Sequence, residues 1–200
     1  MQLLVNPHIF SNLILSFTAV FIFLRYFKGQ FVNNQWLWGI FLFSISLSAL
    51  TDLLFFAGIE RLELVKKIVD AGEMTVGAVC LVVASWCLIM KTEATTLLLV
   101  GALVIGTSLF YAVVWYKVEY VSLIIMAFCI IVTLLICCLG LAYKQKSALW
   151  IIFSMMFFAF ATKAGTIPLP MHPVDINHYM MVLAVICIGR AMKDKYKVLF

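Results

Sequence analysis

The stretch LLLVGALVIGTSLFYAVVWYKVEYVSLIIMAFCIIVTLLICCLGLAYKQK, from Leu97 to Lys146, decides the fold. It contains two long apolar runs, split by Lys117–Glu119 and closed by Lys144–Lys146. Each run reaches the ~20 residues a helix needs to cross a hydrocarbon core of about 30 Å. The runs are continuous and do not alternate with period two, so membrane β-strands are excluded. In lipid, backbone N–H and C=O groups must pair within the segment, and that leaves α-helices.

Working outward, the same pattern recurs along the chain. The spans are read at about 8–27, 35–58, 67–90, 95–116, 120–143, 147–165 and 174–192. This predicts an all-α polytopic membrane protein, a seven-transmembrane-helix bundle forming one domain over residues 1–200. Composition agrees: 66% of residues are hydrophobic and only 12% charged, against roughly 25% charged in soluble domains. Mean hydropathy is +1.14, so the lipid bilayer is the expected solvent.

The net charge of +5 is not a nucleic-acid signature, because the basic residues lie in short loops and the tail and form no patch interleaved with aromatics. Their distribution sets the expected orientation. Arg25, Lys28, Lys91, Lys144, Lys146, Arg190, Lys193, Lys195 and Lys197 fall on one side. Arg61, Lys66, Lys67, Lys117 and Lys163 fall on the other. The positive-inside rule makes the richer side cytoplasmic. The C-terminus is therefore expected inside and the N-terminus, with Asn6 and Pro7, outside; the expected location is the cell (inner) membrane. No charge precedes Arg25, so the first segment lacks the basic start of a signal peptide and reads as a retained helix.

All six cysteines lie inside apolar runs and none forms a CxxC pair. That pattern fits buried thiols rather than disulfides or a cysteine zinc site. Cys137 and Cys138, near the cytoplasmic end of their helix, are candidate palmitoylation sites. Pro168, Pro170 and Pro173 stiffen the longest external connection, which serves as a connector or a lid over a site.

The residues that can carry chemistry are the polar ones inside the apolar runs. An ionisable side chain at mid-membrane costs about 2.5–3.5 kcal/mol on insertion scales, and it normally faces the bundle interior with a partner. Asp52 lies toward the outer end of the second helix, at the end of a four-residue ladder with Ser44 and Ser48. Those serines either bond their own backbone or lead to the carboxylate. Asp70 and Glu73 share one side of the third helix near its outer end. Asp70 also reads as a helix-start acid. Lys163 closes the sixth helix and reads as a snorkelling lysine or the counter-charge of one acid. Asp175 and His178 open the seventh, just after His172, and His8 and Asn12 open the first. Five helices thus bring polar groups to the outer third, and the fourth and fifth bring almost none.

Imidazole and carboxylate together form a zinc ligand set. The layout resembles the superfamily of seven-helix membrane hydrolases that contains the alkaline ceramidases and the progestin-and-adipoQ receptors. There, a Ser and a His four apart on the second helix, a nearby Asp, and two His at the start of the last helix bind zinc and hydrolyse lipid amides. The matching segments here are Ser48-x3-Asp52, HPVDINHYMM from His172, and the opening NPHIFSNLILS. Asp52 stands where the family has His, and His172 and His178 are too far apart for its HxxxH pair. The resemblance implies zinc and hydrolysis of a lipid amide or ester. From the residues themselves, His8, His178 and Asp52 are the candidate ligands, and Asp52, Ser48 and Glu73 the candidate catalytic groups. Asp70, Lys163, His172, Asp175 and Asn12 complete the polar site. The runner-up is a transporter or binding protein for a small solute, cation or proton, using the same acidic layer. No repeat and no polar path toward the cytoplasmic side supports it. A retinal pigment, with Lys163 as the Schiff-base lysine, places that lysine on the wrong helix.

Overall fold

Helices begin and end close to the limits of the apolar runs. The computed structural model describes residues 7–27, 29–116, 119–166 and 170–199. Asn6, Lys28, Lys117 and Pro168, used above for orientation and for the external loop, lie outside the described residues. Helix α1 is Pro7–Phe27, its last turn π-helical, and α2 is Val32–Phe56. Helix α3 runs from Glu63 to Met90 and is interrupted by a π-helical turn at Glu73–Gly77. Helices α4 and α5 are Thr96–Tyr116 and Glu119–Ala142. Helices α6 and α7 are Lys146–Ala161 and Pro173–Lys193.

Six of these helices, all but α6, are long and apolar enough to cross a membrane. By length and composition this is the all-α bundle of a multi-pass membrane protein. Phe17, Leu97, Trp115 and Phe128 are among the large apolar side chains left exposed, as lipid contact requires. The buried residues of all the helices join one core, with Leu15, Trp38, Leu81, Ala102, Met126, Ile151 and Val185 as members. Helix α4 is the most peripheral. It buries only Ala102, Gly106 and Val113, and a Cβ on Gly106 would meet Val76 Cα at 2.9 Å, so glycine is what lets α4 approach α3.

Of the boundaries that differ from expectation, two matter for the site. Helix α3 starts at Glu63, a turn before the expected Lys67. Glu63 suits the positive end of the helix dipole and pairs with Lys67 at 2.9 Å, so Lys66 is a helical residue rather than a loop charge. Helix α6 stops at Ala161 after 16 residues, not at Gly165. At 1.5 Å per residue it spans roughly 24 Å. Thr162 turns its hydroxyl back onto the Ala159 carbonyl, and Lys163 sits exposed in the turn that follows.

Candidate functional site

Four helices converge on one polar cluster, and local sequence rules explain how each supplies its part. His172 caps α7, its Nδ1 accepting from the Val174 N–H at 3.3 Å, and Pro173 takes the first helical position, where its missing N–H costs nothing. Asp175 then lies in the first turn, where the helix dipole favours an acid. His178 follows three residues later on the same face. Both are buried.

That face meets α1. Ser11, fully buried, donates to Asp175 Oδ1 at 2.6 Å and lies 3.2 Å from His178 Nδ1. His8 Nδ1 is 3.1 Å from the same Asp175 oxygen. The His8 ring also packs against His172 and Phe56, with centroids 4.3 and 5.0 Å away. Asn12 donates to the His8 carbonyl at 2.8 Å, while its Oδ1 is buried without a partner.

Helices α2 and α3 supply the rest. Lys66, Asp70 and Glu73 are spaced i, i+4 and i+7, which makes one stripe on α3. Lys66 Nζ sits 2.6 Å from Asp52 Oδ1, and its charge lies over the Phe55 and Phe56 rings. Asp52 Oδ2 faces His178 Nε2 at 3.7 Å. Ser48 donates to Asp70 of α3 at 2.7 Å, so it reaches a carboxylate, but not the Asp52 to which the serine ladder was expected to lead. Ser44 follows the backbone reading and bonds the Phe41 carbonyl. Glu73 is buried at the start of the π turn; such turns recur at functional sites.

These groups wall a cavity of about 140 Å³, with Ser48, Asp52, Asp70, Glu73, Asn177 and His178 as its polar lining. Next to it lies a larger, mainly apolar groove of about 340 Å³. Leu123 and Met126 of α5, Phe158 of α6 and Val174 of α7 are among its lining residues. The short α6 explains the groove. Helix α6 packs on both α5 and α7, which barely touch each other, so ending it at Ala161 leaves a gap between them. Glu73, Met74, Asn177 and Met181 line both spaces and form their shared wall.

The structure therefore brings together Ser48, Asp52, Asp70 and Glu73, with His8, Asp175 and His178 next to them. Lys163 sits exposed in the turn after α6. The lysine at the acids is Lys66, which the later expected start of α3 had placed in a loop. Ser11 was also missed, because a lone serine one turn into an apolar helix carries no signal by itself. Its position three residues after His8 was the available clue.

Zinc is the cofactor the resemblance implies, and His8, His178 and Asp52 are its candidate ligands. Among the described residues no group of three or more His, Cys, Asp or Glu side chains is arranged to hold a metal ion. His8 is turned onto Asp175, and His178 lies between Ser11 and Asp52. Asp52 and His178 face each other, but His8 is engaged with Asp175, so the three do not gather as a ligand set for that ion. Among known proteins, no family model, no curated protein and no solved structure matches the chain.

Proposed function

We propose that the chain crosses the membrane seven times, with its N-terminus outside, and hydrolyses the amide or ester bond of a lipid-like amphiphile. The orientation rests on the charge asymmetry of the loops. The substrate class rests on one observation: the small polar cavity and the larger apolar groove share a wall at Glu73 and Asn177. A polar head fits the first space and an acyl chain the second. A groove of this size lies at the lower end of ligand pockets, about 300–1,000 Å³, which favours a single chain.

In this reading His178 and Asp52 draw a proton from a water molecule in the cavity. The water oxygen bonds to the carbonyl carbon, and Asn177 donates to the carbonyl oxygen as charge develops there. The carbon–nitrogen or carbon–oxygen bond then breaks, and the leaving group takes back the proton. Asp70 and Glu73, held by Ser48 and by burial, border the head end of the cavity. Transport fits less well, because the half of α2 away from the site is plugged by aromatics. Phe27, Trp38, Phe41 and Phe158 pack in series with ring centroids 5.0–6.4 Å apart.

The test is fatty-acid release, read by mass spectrometry, from a panel of N-acyl amides and acyl esters incubated with detergent-purified protein. Turnover is expected in the wild type and lost in Asp52→Asn, with helicity unchanged. Absence of any product across the panel, in protein that still carries co-purified lipid, would replace hydrolysis with binding.

A further inference from the structure

We propose that Ser11 and Asp175 are positioning residues that hold His178 as its Nδ1–H tautomer. Its Nε2 lone pair and Asp52 Oδ2 then face each other across a gap that a proton-donating group can bridge. The assignment follows from counting protons. Ser11 has one hydroxyl proton and three close polar neighbours: Asp175 Oδ1 at 2.6 Å and His178 Nδ1 at 3.2 Å on α7, and the His8 carbonyl of its own helix at 3.2 Å. The 2.6 Å contact to Asp175 Oδ1 lies in the range of a hydroxyl donating to an ionised carboxylate, about 2.5–2.7 Å. That contact takes the proton. Ser11 Oγ can then only accept from His178 Nδ1, 3.2 Å away, so Nδ1 carries the ring proton. His8 completes the arrangement by donating from Nδ1 to the same Asp175 oxygen at 3.1 Å.

The consequence lies on the other side of the ring. In neutral His178, Nε2 is an acceptor, and so is the carboxylate oxygen it faces. Two acceptors do not bond each other, and they stand 3.7 Å apart, beyond a hydrogen bond. Lys66 occupies the other oxygen of Asp52, at 2.6 Å, and leaves Oδ2 toward the ring. Asp52 and His178 both line the cavity. A molecule there with two donor hydrogens, about 2.8 Å from each acceptor, satisfies both. Water and a primary amine or ammonium qualify; a carbonyl or carboxylate oxygen does not. The tautomer stands on hydrogen-bond geometry alone, while its use as a base for attacking water rests on the hydrolytic function proposed above.

The test is 15N NMR of histidine-labelled protein in liposomes at pH 8. The chain has only three histidines, so His8→Gln and His172→Gln complete the assignment. His178 and His8 are expected as Nδ1–H tautomers. His172, whose Nδ1 accepts from Val174 N–H, is expected as the Nε2–H form. Ser11→Ala should switch His178 to Nε2–H, now donating to Asp52, and lower kcat by about 10²–10⁴-fold with little change in KM. Ser11→Thr, which keeps the hydroxyl, should restore both. A wild-type His178 in the Nε2–H form, or protonated on both nitrogens, overturns the inference whether or not any variant folds. The Nδ1–H form in a protein that hydrolyses nothing upholds the tautomer and overturns the hydrolytic reading.

Discussion

The two ends of the bundle both carry polar residues but use them differently. At the end holding the α1–α2, α3–α4 and α5–α6 turns and the tail, polar groups clasp the backbone. Asn34 accepts from Ala94 N–H at 2.7 Å, and Asn33 donates to the Ala94 carbonyl at 2.8 Å. Gln145 donates to the Ile89 carbonyl at 2.9 Å. The tail pairs with the α5–α6 turn through Lys146 N–H to Lys197 O and Leu199 N–H to Lys144 O. Lys91 and Lys144 adopt the left-handed conformation that ends α3 and α5. At the other end, side chains of four helices also pair with one another around a cavity. Backbone clasps fix loops, whereas charged groups placed around a cavity at a helix-destabilising cost need a reason other than stability. That contrast carries the functional assignment.

The largest effect is expected from Asp52→Ala. It strands Lys66 and His178; the Lys66 pair is only part-buried, so the loss falls below the ~3–5 kcal/mol of a fully buried pair. A clear drop in melting temperature with complete loss of turnover is predicted; full activity would break the comparison. Next comes Gly165→Trp at the groove, where an added Cβ meets nothing within 4 Å. KM for long-chain substrates should rise about tenfold, equivalent to about 1.4 kcal/mol, while a short-chain substrate keeps its wild-type kcat. Equal effects on both chain lengths would show that the groove does not hold the chain.

At the clasp end, Asn34→Ala leaves the Ala94 N–H without its partner, a cost of about 1–3 kcal/mol. The melting temperature should fall and the activity of the folded protein should not. The smallest effect concerns acid. Asp194 is buried, and Lys197 at 2.8 Å holds its carboxyl below the usual value; burial opposes this, while Trp150 and Lys146 add to it. A lowered folded pKa means its stabilisation is complete above the ordinary carboxylate value of about 4. It is lost as the pH falls through the lowered value. Asp194→Asn should flatten that acid limb of a thermal-melt series and leave neutral-pH turnover alone. Dialysis against EDTA sharpens the chemistry: the mutual pairing of the donors predicts unchanged activity. Loss restored by zinc would mean that His8, His178 and Asp52 regroup around the ion.

Much of the bundle was legible in the sequence because hydrophobic length in lipid is an almost complete constraint. The helix limits moved by a few residues, and the larger misses were local. Reading α3 from Lys67 hid Lys66, since a lysine beside an apolar run looks like a loop charge until Glu63 is seen to start the helix. Reading α6 to Gly165 hid the groove, because Thr162, Ala164 and Gly165, which line it, belong to the turn that replaces the last residues of that helix. Asp52, Asp70, Glu73, Asp175 and His178 stood out because an acid or imidazole within a span is costly anywhere but in a paired site. Ser11 did not stand out, since serine in a membrane helix usually bonds its own backbone. Only its pairing with α7 distinguishes it.

The most direct test of the difference between the two ends compares fatty-acid release by three purified proteins: wild type, Asp52→Asn and Asn34→Ala. Robust turnover in wild type and in folded Asn34→Ala, with none in Asp52→Asn, is the predicted result. Equal turnover in Asp52→Asn, or loss in both variants alike, would contradict a site confined to the polar end of α1, α2, α3 and α7.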